Sequence, residues 1–135
     1  MRIPLSLLLF VVTAVLSRGQ DLSPDWLSVL DSTSCRTYVP ADYTRLPTLQ
    51  DMLTEYIPEA RWHDGRVEVR ATEDDGITFF FSQRSLVLVD GRAAADHRAV
   101  MNLDPGRIRQ IRIYPDCYLM DGIRCDGVIA FDLVH

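Results

Sequence analysis

The sequence predicts an α+β domain: a single small domain with a mixed sheet of about five strands and two or three short helices. Three observations carry that expectation. From Gly65 onward Val67, Val69 and Ala71 alternate with Arg66, Glu68 and Arg70, the period-2 pattern of a half-buried strand. Leu49, Met52, Leu53 and Tyr56 recur at i, i+3, i+4 and i+7, which puts one apolar face on a helix. Leu86–Val89 and Val128–Phe131 are continuously apolar, as strands covered on both sides are.

Arg2 opens a short basic region, residues 3–16 form an uncharged and mostly apolar run, and Ser17-Arg18-Gly19 puts small residues at −3 and −1 before Gln20. Residues 1–19 therefore read as a secretory signal peptide. A spanning helix would need about 20 apolar residues, and this shorter run is interrupted by Pro4, Ser6 and Thr13. No transmembrane segment is expected once it is removed. Cleavage takes away Arg2 and Arg18, leaving 12 Arg against 19 acidic residues, a net charge of −7. An acidic chain of that kind excludes nucleic acid as a partner and adhesion to anionic lipid. There is no Lys, so a Walker A phosphate loop and every Lys-based covalent mechanism are excluded.

Residues 20–47 read as a lead segment in which Ser23-Pro24 starts a short helix carrying Trp26, Leu27 and Leu30. Thr48 to Ile57 is the clearest helix: Thr48 and Asp51 make a capping-box-like start, and Pro58 stops it. Glu73-Asp74-Asp75-Gly76 turns the Gly65 strand back into Ile77–Phe81, making a hairpin. Asp90-Gly91 reads as a turn, with Gly supplying positive φ, and Asp104-Pro105 as the capped start of a helical turn leading to Ile108. Ile111 and Ile113 alternate with Gln110, Arg112 and Tyr114, a strand with one wet face.

The order from Ser85 to Phe131 resembles the second half of a TonB-dependent receptor plug domain. The matching pieces are Ser85-Leu86-Val87-Leu88-Val89-Asp90-Gly91, then Met101-Asn102-Leu103-Asp104-Pro105-Gly106-Arg107-Ile108, then Arg109-Gln110-Ile111-Arg112-Ile113-Tyr114, and Cys125-Asp126-Gly127-Val128-Ile129-Ala130-Phe131. The helix running into Ile57-Pro58-Glu59-Ala60 is similar to the family's early helix and I-P-G-V segment, with Glu59 where the family has Gly. The resemblance makes 48–135 a plug-like domain. It implies a non-catalytic binding or interaction module, exported to the periplasm or outer membrane and related to the domain that gates nutrient receptors. The transmembrane barrel of that family needs several hundred residues this chain does not contain, so it is expected not to transport alone. Its partner would be a protein or glycan at the cell envelope, or a barrel supplied separately. The alternatives are the N-terminal fragment of a larger outer-membrane receptor or surface protein, and a small secreted enzyme.

No catalytic, cofactor-binding or metal-ligating set stands out. Asp116, Cys117, Asp121, Cys125 and Asp126 lack C-x2-C spacing and a His partner, and mix hard with soft ligands. His63 and His97, each beside an Asp, read as solvated loop residues, and His135 as the terminus. Cys35, Cys117 and Cys125 are three thiols in an exported chain. Cys117 and Cys125 flank the loop 118–124, so a disulfide between them is one expectation and free thiols the other. In the Phe79-Phe80-Phe81 run, Phe80 is the residue expected to face outward as a contact point.

Overall fold

The computed structural model describes residues 20–21, 30, 35–73, 78–120 and 122–135. The signal peptide, the body of the Ser23–Leu30 helix and the 74–76 turn lie outside them. In chain order the strands are β1 (Gln20–Asp21), β2 (Arg36–Tyr38), β3 (Ala60–His63), β4 (Arg66–Thr72), β5 (Phe79–Ser82), β6 (Leu86–Val89), β7 (Arg92–Ala93), β8 (Ile108–Met120) and β9 (Ile123–Leu133). Helix α1 spans Leu49–Tyr56, and the single-turn α2 spans His97–Met101. Short 3-10 turns occupy Pro40–Asp42 and Pro105–Arg107.

This corrects the fold expectation. The described residues form one mixed sheet of nine strands, not about five, and α1 is their one helix longer than five residues. Of the excess strands, β1 and β2 fall in the segment 20–47 and β7 follows the Asp90-Gly91 turn, while β3 comes from a turn the sequence pattern did not mark. Asp64 and Gly65 both have positive φ, 51° and 73°, so this Asp-Gly pair makes a two-residue hairpin, and Ala60–His63 becomes β3. Likewise Met120 pairs with Ile123, so the expected loop 118–124 is mostly strand, joined by only two residues.

The long β8–β9 hairpin is the spine. Along it β6 runs parallel to β9, from Leu86 opposite Val128 to Val89 opposite Phe131, and β2 pairs antiparallel with β8 at Ile111–Ile113. β6 thus lies between β7 and β9, the central position its two-sided apolar pattern predicts. Ile129 and Phe131 face the main core, while Val128 and Ala130 face a second cluster with Leu30, Leu88 and Tyr114.

Beyond a register shift between Tyr114 and Cys117, β8 meets β4 through a parallel bridge, Thr72 to Asp116. The β3–β4–β5 meander continues from there and folds over β9. A Cβ on Gly127 would meet Val69 Cγ1 at 2.8 Å, so β4 packs almost on the backbone of β9. Gly127 has φ 78° in the interior of β9, not at its start. Glycine there lets β9 bend under β4.

Helix α1 closes the core from one side. Thr48 Oγ1 accepts from the Asp51 amide at 3.1 Å, as an N-cap does. Leu49, Met52 and Leu53 are buried with Ile57 against Val67, Val69, Ile111 and Ile129. Each such side chain contributes about 1.5–3 kcal/mol by leaving water. No helix among the described residues is long and apolar enough to cross a membrane.

Candidate functional site

The clearest concave surface lies where the meander turns away from the spine. It is a cleft of about 600 Å³ between Arg36 at the start of β2 and Arg70 and Phe79 of the β4–β5 hairpin, floored by Ile113 and Pro115. Its position follows from the register. Arg36 lies opposite Ile113 on β8, so both face the same side, while β8 leaves β2 and reaches β4 only at Asp116. The gap between those pairings is the cleft.

Two of its residues are tied into the frame. Tyr38 Oη donates to Glu59 Oε1 at 2.5 Å, and Arg36 Nε lies 3.5 Å from Glu59 Oε2. Burial, then the bond to Glu59, pushes the Tyr38 phenol well above its ordinary range, so it stays a neutral donor. The Glu59 carbonyl accepts from the Arg70 amide at 2.6 Å, which seats the Pro58-Glu59 corner against β4. Glu59 is the link between β2 and the meander.

Arg70 and Phe79 are different. The Arg70 guanidinium lies 5.3 Å from the Phe79 ring centroid, and no carboxylate pairs with it among the described residues. Phe79 is 56% exposed, the most exposed of the three consecutive phenylalanines. The outward residue of that run is therefore Phe79, not Phe80, because Ala71 pairs with Phe80 on the inner face and Thr72 with Phe79 on the outer. Cys35, an exposed free thiol, sits at the cleft's rim.

A second polar cluster lies on the hairpin end of the spine, around Asp126, which is fully buried. Its carboxylate accepts from Ser82 Oγ at 2.9 Å, Arg84 Nε at 2.9 Å and Arg124 Nε at 2.6 Å. Burial alone would raise its pKa, but the bonds from Arg124, Ser82 and Arg84 outweigh burial and hold the carboxyl below the usual range. A carboxylate so saturated is a poor base, and the cluster contains no histidine to activate Ser82. Nearby, the Ser85 hydroxyl accepts from the Val69 amide at 2.8 Å and lies 3.0 Å from the Asp126 carbonyl. The cluster is a clamp that fixes β9 to the β5–β6 connection and to β4.

Asp126→Ala is expected to destabilise the protein by about 2 kcal/mol, read as a lower urea midpoint. The figure is at the modest end because Arg84 and Arg124 are partly exposed and regain water when the carboxylate goes. A wild-type midpoint would contradict the clamp.

The register separates the two cysteines considered for a disulfide. Cys117 lies opposite Asp126 and Tyr118 opposite Cys125, so Cys117 and Cys125 project from opposite faces of the hairpin. Cys35, Cys117 and Cys125 are all free thiols in this structure. Cys117 Sγ donates to the Thr72 carbonyl at 3.3 Å, and burial followed by the Asp126 carboxylate pushes its thiol up, away from thiolate chemistry. Among the described residues of the dismissed metal centre, Cys117 and Asp126 share one face of the hairpin and Cys125 lies on the other.

The histidines correct a further expectation. His63 is partly exposed beside Asp64, at 3.3 Å, but His97 is only 6% exposed and is not a solvated loop residue. It opens α2 under an Asp96 cap, and its Nδ1 accepts from the Val67 amide at 3.0 Å. His135 Nε2 lies 2.8 Å from Asp90 Oδ2, while Asp90 Oδ1 accepts from the Leu133 amide at 2.8 Å. Asp90-Gly91 is the expected positive-φ turn, and its aspartate also ties down the end of β9.

These features define a small curled-sheet domain with one arginine- and phenylalanine-lined cleft and a separate buried polar clamp. No protein-family model matches the chain, and no characterised protein aligns with it significantly.

Proposed function

We propose that the chain is a non-catalytic binding module of the periplasm or outer membrane, related in its C-terminal motif order to receptor plug domains and unable to transport alone. Its contact surface is the cleft formed by Arg36, Arg70 and Phe79. The observation that carries this reading is the exposed Phe79 beside an Arg70 that pairs with no carboxylate among the described residues, at the mouth of a preformed hollow. Large apolar groups left in water beside such a hollow mark binding surfaces. The motif order adds support. Asp90-Gly91 turns between β6 and β7, Asp104-Pro105 opens the turn into β8, and Gly127 sits in a β9 that is parallel to β6. The polar clusters lend nothing to an enzyme reading, since the Asp126 carboxylate and the Cys117 thiol are both consumed in structural bonds.

Fractionation of the native host, followed by intact mass, tests the proposal. The expected result is a species beginning at Gln20 in the periplasmic or outer-membrane fraction. A cytoplasmic species that retains Met1 would contradict it.

A further inference from the structure

We infer that the cleft binds a small amphipathic monocarboxylate, with the carboxylate on Arg70 and the apolar part over Phe79, Ile113 and Pro115. The inference rests on the cleft being the contact surface and adds the chemistry of its ligand. Charge balance within the cleft selects the head group. Glu59 is engaged by Tyr38 and Arg36, so its charge and that of Arg36 offset each other. Arg70 is left as one positive charge without a carboxylate partner among the described residues, in a chain whose mature net charge is −7. A guanidinium with no carboxylate partner among the described residues, with its fork of donors, matches one carboxylate.

The lining selects the rest of the ligand. The exposed ring of Phe79 and the side chains of Ile113 and Pro115 offer no hydrogen bonds, so an apolar tail gains by covering them and a polar one does not. The volume, about 600 Å³, falls within the range of roughly 300–1,000 Å³ that holds a small organic molecule. Arg70 already lies over the Phe79 ring, so its guanidinium is held in place before the ligand arrives.

Calorimetric titration of the purified protein with decanoate and with decylamine, which share a tail and differ in charge, tests the inference. Decanoate is expected to bind saturably at one site and decylamine not at all. Arg70→Glu should weaken decanoate by at least about tenfold. Arg109→Glu, an equal charge change at an exposed position outside the cleft, should leave binding within about twofold. Circular dichroism confirms that both variants fold. Binding of decylamine as tight as that of decanoate, an Arg70→Glu affinity equal to wild type, or no binding of decanoate would each overturn the inference. A protein found in the envelope that ignores decanoate would lose this ligand class and keep its proposed location. Decanoate binding by a cytoplasmic chain would do the reverse.

Discussion

Gly127→Val is expected to lower stability by about 3–4 kcal/mol, the largest effect of any single change considered. Two costs add at this position. The residue has φ 78°, a region that costs a non-glycine about 1–2 kcal/mol and a β-branched one more. Its new Cβ would also stand 2.8 Å from Val69 Cγ1 and 3.0 Å from Val69 Cβ, an overlap that β4 must relieve by moving off β9, at about 1–3 kcal/mol. A small domain with 5–15 kcal/mol to lose would melt about 15 °C lower. Gly122→Ala is the control. It has the same backbone demand, φ 81°, but nothing within 4 Å of the new Cβ, so only about 1 kcal/mol is expected. Equal losses in the two variants would show that β4 does not lie over Gly127.

Mild acid is expected to weaken the protein through His97 before it reaches the carboxylates. Burial, then the neighbouring Arg66 charge, depresses the His97 pKa to about 4, against the opposing pull of Asp96. Its Nδ1 must stay unprotonated to accept from the Val67 amide. Because the folded pKa lies below the unfolded value near 6.5, the unfolded chain binds the extra proton between the two. The stability from this site is therefore complete above about pH 6.5 and falls as pH drops toward 4, by about 3 kcal/mol at the end. Asp126, whose pKa is also depressed, acts in a separate and lower window, losing its contribution only as pH falls below the ordinary carboxylate range. Urea unfolding at about pH 7, 5.5 and 4 measures the slope. His97→Asn, whose side-chain oxygen can replace Nδ1 as acceptor without titrating, should flatten the upper window. An unchanged slope in that variant would assign the acid response elsewhere.

Helix α1, the β4–β5 hairpin and the central place of β6 were legible in the sequence because each rests on local periodicity. Thr48 caps, Pro58 stops, and Val67, Val69 and Ala71 alternate inward as their spacing demands. The failures share a physical cause. Asp-Gly occurs at 64–65, 75–76, 90–91, 121–122 and 126–127, and only tertiary context separates a hairpin tip from Gly127, held mid-strand beneath Val69. Glu68 falls on the face predicted to be wet, yet it is 2% exposed, because Arg61 bonds it at 2.8 Å and also covers Phe81. No pattern within β4 announces that cover, which comes from β3. The cleft was equally hidden: Arg36, Glu59, Arg70 and Phe79 are scattered over more than 40 residues and meet only because β8 changes partner from β2 to β4.

The most direct test of the cleft as the functional site is an amide NMR titration of the protein with decanoate. Saturable shifts confined to Cys35, Arg36, Glu59, Arg70, Phe79 and Ile113, with Ser82–Ser85 and Asp126 unmoved, are the predicted result. Shifts centred on the Asp126 cluster, or spread evenly over the sheet, would contradict the assignment of the cleft.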